Sequence, residues 1–255
     1  MNLKITRKIK NIISNNFKKI LLFLILFILI SILLLLIYNY YKGKIFRLYK
    51  NSSSNKIVYI DVKMLPEKLI NEVENLMQKK GHILDPKSNF NNTQGKKLEY
   101  EQLPKDVVDF YINKNLKQQV SQAIGENVDF ADLDEKCRIF SRLYSQNNDF
   151  IDWHYDNNFT IGNRYTLVIP IKVDLKNTSQ FVIKDKSNGK EKIIPIELGK
   201  GVIYNGSDTY HKITKQTHGQ ERLVIIIPFY SNKTKSYSGF FQQKFRDIYE
   251  RILTL

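Results

Sequence analysis

The chain has 255 residues, enough for one sizeable domain with attachments, and its single cysteine, Cys137, excludes an intrachain disulfide and any cysteine-built zinc site. Net charge is +15, yet residues 1–50 hold ten Lys/Arg and no Asp/Glu, leaving 30 basic against 25 acidic residues in the remaining 205. The excess charge is therefore a basic flank, not the footprint of a nucleic-acid-binding domain, and no specific nucleic acid is expected as a partner.

Residues 1–19 form a basic tail. Ile20 to Ile37 is then an unbroken apolar run apart from Ser31, with no polar face at any helical period. Eighteen residues at about 1.5 Å each span roughly 27 Å, close to the hydrocarbon thickness of a bilayer. Tyr38, Tyr40 and Tyr41 follow where an interfacial aromatic belt belongs, and no Ala-x-Ala-like cleavage site follows Ile37. Residues 20–38 are thus predicted to be an uncleaved transmembrane signal anchor. Lys4, Arg7, Lys8, Lys10, Lys18 and Lys19 precede it; Lys42, Lys44, Arg47 and Lys50 follow. Six against four favours a cytoplasmic N-terminus and a lumenal or external remainder in a single-pass membrane protein. Asn-x-Ser/Thr triplets at Asn51, Asn91, Asn158, Asn177, Asn205 and Asn232 are glycosylation candidates in that topology.

Residues 39–56 read as a stalk, aromatic and basic first and then polar. A helical support region over 57–130 begins with a short strand at 57–63. A helix opens at Pro66, carries Leu69, Ile70, Val73, Leu76 and Met77 on one side, and stops at Gly81. Residues 85–97 are polar and predicted as a loop. A second helix runs from near Pro104 to Gly125. From 131 to 232 the pattern changes to short β runs at 138–144, 150–154, 164–173, 179–184, 191–196, 201–204, 210–214 and 222–229, with Ser187-Asn188-Gly189 as a turn. Eight short strands in about 90 residues indicate a double-sheet jelly roll and not βαβ units. Pro170 inside the third run predicts an edge strand or a bulge there. Residues 233–255 close the chain, with a helix expected over 236–255. The fold class is α+β: a double-stranded β-helix with N-terminal supporting helices, preceded by one transmembrane helix.

The chemistry-bearing residues gather in the β region. His154 ends the second run and Asp156 lies two residues on, about 6.7 Å away along an extended chain, near enough to chelate one ion as the chain bends. His211 lies on the seventh run, 57 residues later, and runs two and seven can be neighbours in an antiparallel roll. Two imidazoles and a carboxylate hold one face of an Fe(II) ion and leave three adjacent positions open. Arg222, at the start of the eighth run, is a cation suited to the far carboxylate of an acid co-substrate, or else a strand-edge cation paired with Glu221 or Asp208. Tyr144 is either an aromatic packed inside the roll or a second contact to that carboxylate. Asp149 and Asp152 fit the spacing less well, Trp153 is expected to pack near the site, His82 is expected to play no metal role, and His218 is expected to be solvent-exposed in a Thr-His-Gly-Gln turn.

Residues 138–229 resemble the core of the iron and 2-oxoglutarate dioxygenase superfamily, and most of all its prolyl 4-hydroxylase-like branch. The matching stretches are Arg142 through Asp156, Arg164 through Ile171, Gly199 through Tyr204, and Tyr210 through Thr214 on to Arg222. The resemblance implies Fe(II) ligation by His154, Asp156 and His211. It also implies that Arg222, helped by Tyr144, pairs with the far carboxylate of 2-oxoglutarate. Collagen-type prolyl hydroxylases usually carry Lys at the place of Arg222, whereas lysyl hydroxylases and many other members carry Arg. The nucleic-acid demethylase branch adds an Arg six residues later, where this chain has Pro228. The implied activity is dioxygen-dependent hydroxylation of a prolyl or lysyl side chain in a protein or peptide, with succinate and CO2 as co-products and ascorbate as reductant. The alternatives are a non-catalytic, membrane-tethered jelly-roll binding module, or an oxygenase acting on a small molecule, lipid or nucleic acid.

Overall fold

The computed structural model describes residues 19–32, 34, 56–84, 92–132, 138–174, 179–217 and 220–236. The greater part of the basic tail and stalk, residues 33 and 35–38 of the predicted anchor, Cys137, His218 and all but the first residue of the helix expected over 236–255 lie outside them. The chain divides into two compact units, Met1–Asn51 and Ser52–Leu255. In the first, residues 19–32 are helical and exposed; among the described residues no helix is long and apolar enough to cross a membrane.

The second unit is built on a curled antiparallel sheet. Its strands are β1 (Ile57–Asp61), β2 (His82–Leu84), β3 (Thr93–Leu98), β4 (Asp129–Phe130), β5 (Phe140–Tyr144), β6 (Phe150–His154), β7 (Arg164–Val173), β8 (Phe181–Lys184), β9 (Glu191–Ile194), β10 (Lys200–Asn205), β11 (His211–Ile213) and β12 (Arg222–Tyr230). They follow the order β1-β10-β7-β12-β5-β3-β6-β11-β8-β9, with β2 beside β3 and β4 beside β12. This is a jelly roll whose two walls are joined through β3: Lys96–Leu98 pair with β5, and Thr93–Gln94 pair with β6.

The period-2 alternation of each strand separates two cores. On β12, Leu223, Ile225, Ile227 and Phe229 face outward against α1 (Glu67–Lys80), α2 (Lys105–Tyr111) and α3 (Lys114–Ile124), which supply Val73, Met77, Val107, Leu116 and Val120. Val224 faces the inside of the roll, with Tyr144, Val168, Val202, Tyr204 and Phe181. The helices thus brace one wall and leave its inner face for the site. The helix expected from Pro104 to Gly125 is two helices. Asn113 interrupts it, its side chain accepting a hydrogen bond from the Leu116 N–H at 2.9 Å and capping α3, while Gly125 ends α3 at φ 75°.

Two expectations about strands are refined. β7 is a central strand, paired with β10 on one side and β12 on the other, so the edge reading of Pro170 does not apply. The bulge reading does: Leu223 pairs with Lys172 and Val224 with Pro170, leaving Ile171 as the extra residue. Pairing with β10 ends at Val168, so the missing N–H of Pro170 costs no hydrogen bond on that side. The polar loop expected over 85–97 ends in β3. Thr-Gln-Gly-Lys-Lys-Leu lacks apolar alternation and carries Gly95 at φ 142°, where an added Cβ would lie 3.0 Å from the Leu143 carbonyl oxygen, so backbone proximity holds this strand and not side-chain pattern.

Candidate metal centre

β6 and β11 are antiparallel neighbours with His154 directly opposite His211. Their ring centres lie 4.2 Å apart, and Asp156, two residues past His154, faces both. Ligand atoms of His154, Asp156 and His211 all fall within 4.8 Å of one another. Each histidine Nε2 is 3.8 Å from Asp156 Oδ1, too long for a direct hydrogen bond and consistent with a shared point between the three. The side chains are 10 %, 16 % and 4 % exposed for His154, Asp156 and His211.

The imidazoles are oriented from behind. His154 Nδ1 donates to the Asp152 carbonyl at 2.7 Å, and His211 Nδ1 to the Thr209 carbonyl at 2.8 Å. A carbonyl only accepts, so Nδ1 carries the proton and each Nε2 lone pair is left facing Asp156. The Tyr204 hydroxyl is 3.3 Å from His211 Nε2. Asp156 is held just as firmly. Its N–H donates to the Gly206 carbonyl at 2.9 Å, the Gly206 N–H donates to the Arg164 carbonyl at 2.8 Å, and Thr166 Oγ1 donates to Asp156 Oδ2 at 2.5 Å. Arg164 Nη1 is 4.0 Å from Asp156 Oδ1 and donates to the Asn157 carbonyl at 2.7 Å.

Burial is the main influence on the histidines. With the neighbouring His211 it pushes His154 from its ordinary 6.5 down to about 3, and burial also lowers His211, Asp156 opposing in both cases. Burial alone would raise the Asp156 carboxyl, but Arg164, the two histidines and the Thr166 hydroxyl reverse this and hold it well below the usual carboxylate range. The site therefore presents neutral imidazoles and an ionised carboxylate, the protonation states a divalent metal requires. The linkage has one sign. Folded-state values lie below unfolded ones for His154, His211 and Asp156, so the stability they confer is complete above pH 6.5 and declines as pH falls toward about 3, where the unfolded chain binds more protons. Urea unfolding of the metal-free protein is expected to show this loss; a flat profile between pH 6.5 and 4 would contradict the buried, neutral assignment of the histidines.

Arg222 opens β12 directly opposite Tyr144, its Cζ 5.7 Å from that ring's centre. It is buried, and its Nε and Nη1 have no partner among the described residues. The strand-edge ion pairs considered for it do not form: Glu221 pairs with Lys172 at 2.8 Å, and Asp208 pairs with Lys186. Burial lowers the Arg222 pKa, with Tyr144 and Tyr204 opposing. Arg222 also lines a cavity of about 400 Å³ with Val173, Ser179, Phe181, Ile194 and Ile196. Asp149 and Asp152 stay out of the cluster: Asp149 accepts from the Ser145 and Gln146 N–H groups at 2.8 Å, and Asp152 accepts from Asn92 Nδ2 at 3.1 Å. Trp153 stacks on Tyr210 at 5.1 Å, beside the site, and His82 sits on β2, exposed.

The sequence reading missed Thr166, Arg164, Gly206 and Tyr204. Arg164 and Thr166 share one face of β7, and Gly206 stands just past β10; the alternation of Arg164-x-Thr166 was a faint signal for the first two, whereas Gly206 carried none.

The site is thus a jelly roll bearing His-x-Asp at one strand end and a second His on the paired strand, the donor set of a divalent-metal centre. No protein-family model matches the chain, and no curated protein does. Solved structures do. A Pseudomonas putida prolyl-4-hydroxylase superposes with TM-score 0.52 at 13% identity, over 70% of this chain and 94% of its own. An oxidoreductase of the 2OG-Fe(II) oxygenase family from Burkholderia pseudomallei gives 0.52 at 10% identity, covering 71% and 88%. The epimerase SnoN, in complex with Fe3+, alpha-ketoglutarate and nogalamycin RO, gives 0.53 at 11% identity, covering 72% and 81%. The second unit shares its fold with these solved structures.

Proposed function

We propose that this chain is a membrane-anchored, Fe(II)- and 2-oxoglutarate-dependent dioxygenase that hydroxylates a protein side chain, prolyl or lysyl. The observation that carries this reading is the convergence of His154, Asp156 and His211, with ligand atoms within 4.8 Å of one another and both Nε2 lone pairs facing the carboxylate. Two neutral imidazoles and one carboxylate are the donor set of a facial Fe(II) site with open positions, and they are also the protonation states found here. Bound there, iron with 2-oxoglutarate and dioxygen supplies the oxidising power to convert a C–H bond to C–OH, releasing succinate and CO2, with ascorbate as the reductant that maintains Fe(II).

The remaining work falls to the protein. Arg222 supplies a buried guanidinium fork, its Nε and Nη1 without a partner among the described residues, for the far carboxylate of 2-oxoglutarate, and Tyr144, opposite it in register, walls that end of the pocket. Asp152 and Thr209 carbonyls hold the imidazole tautomers, and Thr166 and Gly206 hold the carboxylate. The apolar inner wall of Val168, Val202, Phe181 and Val224 excludes water from the reacting centre.

A prolyl or lysyl substrate is supported by the prolyl 4-hydroxylase-like motifs at 142–156 and 210–222 and by the likeness to the Pseudomonas prolyl-4-hydroxylase. Anchoring through residues 20–38, with the N-terminus cytoplasmic and the oxygenase core of 131–232 lumenal or external, is supported by the apolar run and the flanking charges. Succinate release from 2-oxoglutarate with Fe(II) and ascorbate tests the chemistry. The parent is expected to turn over, His154→Ala is not, and Arg222→Met is expected to raise the KM for 2-oxoglutarate roughly ten- to a hundredfold. Equal turnover in the parent and His154→Ala would overturn the reading. Peptides that gain the mass of one oxygen would identify the substrate class.

A further inference from the structure

The inner wall holds a second cation that the site described so far does not use. Phe140, Arg142 and Tyr144 alternate with Ser141 and Leu143 along β5, and Leu143 belongs to the outer core against the helices. Arg142 therefore faces inward, opposite Val224 on β12, one pleat along from the Tyr144–Arg222 pair. Its Cζ is 5.7 Å from the Phe140 ring centre, and its Nε and Nη1 are buried without a partner among the described residues. The cation facing it on β3, Lys97, is already satisfied: its Nζ is 2.7 Å from Glu99 Oε1. Asp156 is engaged by Thr166 and faces Arg164. Among the described residues no carboxylate pairs with Arg142.

We propose that Arg142 is the second anion-binding residue on the inner wall of the roll, receiving the carboxylate beside the keto group of 2-oxoglutarate while Arg222 receives the far one. This rests on the co-substrate reading above. A guanidinium with buried, unpaired N–H groups is costly unless an anion completes it. Two such groups on one inner wall, a pleat apart, fit a ligand with an anion at each end. Arg142 is also the one on the metal side: along β12, Thr166, which donates to Asp156, lies opposite Pro228, Arg142 lies opposite Val224, and Arg222 lies one pleat farther from Thr166.

The test is anaerobic binding calorimetry on the full chain loaded with Mn(II), using 2-oxoglutarate and 2-oxopentanoate, which keeps the keto-acid end and lacks the far carboxylate. Arg222→Met is expected to weaken 2-oxoglutarate roughly ten- to a hundredfold and to leave 2-oxopentanoate unchanged. Arg142→Met is expected to weaken both ligands by a like factor, and Arg142→Lys to recover part of the loss. Ligand-free Arg142→Met is expected to melt above the parent, because methionine removes an unpaired buried charge; an arginine with a purely structural role would melt lower on replacement. Arg142→Met binding both ligands as the parent does, or losing affinity for 2-oxoglutarate alone, would overturn the assignment. A parent and an Arg222→Met variant that both fail to bind 2-oxoglutarate would instead remove the co-substrate reading from which it starts.

Discussion

Asp156→Ala is expected to abolish tight divalent-metal binding and to destabilise the metal-free protein by about 3 kcal/mol. The first effect follows from the donor set: the carboxylate is the only anionic member, and both histidine Nε2 atoms face it at 3.8 Å. The second follows from what the carboxylate faces. Arg164 Nη1 is 4.0 Å away and Thr166 donates to it at 2.5 Å, so alanine leaves a largely buried cation and a hydroxyl without this acceptor. Asp156→Asn separates the two contributions. It keeps an oxygen for Thr166 and loses the charge, so metal binding is expected to fall as far as in Asp156→Ala while the loss of stability is smaller. Mn(II) titration and urea unfolding of both variants check this. Metal binding retained in Asp156→Ala would remove the carboxylate from the site.

Gly206→Ala is expected to lower metal affinity roughly ten- to a hundredfold although residue 206 offers no ligand atom. A Cβ there would overlap Asp156 Oδ2 and lie 2.6 Å from Thr166 Oγ1 and 2.9 Å from Asp156 Cβ. The backbone has little freedom to yield, because the Gly206 N–H and C=O are committed to the Arg164 carbonyl and the Asp156 N–H. The carboxylate must therefore swing away from the histidines, and overpacking is expected to cost about 1–3 kcal/mol as well. Gly189→Ala is the control: φ there is +69° and the space around it is open, so backbone strain is expected without any change in metal affinity. The same calorimetry checks both variants, and unchanged metal affinity in Gly206→Ala would show that Asp156 is free to move without loss.

Where the sequence was legible, side-chain pattern carried the structure. β6, β7 and β12 were bounded within a residue because Ile151, Val168 and Leu223 alternate or run together between turn residues. The histidine–aspartate set was legible because its members are chemically distinctive, and strand pairing then put His154 opposite His211. β3 was not, since a glycine-bearing polar segment gives no period and is held by backbone pairing on both sides. The supporting residues were not legible for a related reason. Thr166 reaches Asp156 across ten residues and Gly206 across fifty, and Arg142 faces the pocket only because β5 lies in one register with β12. Register is a property of the assembled sheet, and a one-residue slip would turn each of these side chains to the other face.

The most direct measurement is an anaerobic titration of the full chain with Fe(II), repeated with His154→Ala and His211→Ala. The parent is expected to saturate with a single equivalent, and subsequent 2-oxoglutarate to bind more tightly with the metal than without it. Each histidine variant is expected to lose the saturating site. Binding that persists undiminished in both variants, or its absence from a folded parent, would contradict a metal centre built from His154, Asp156 and His211.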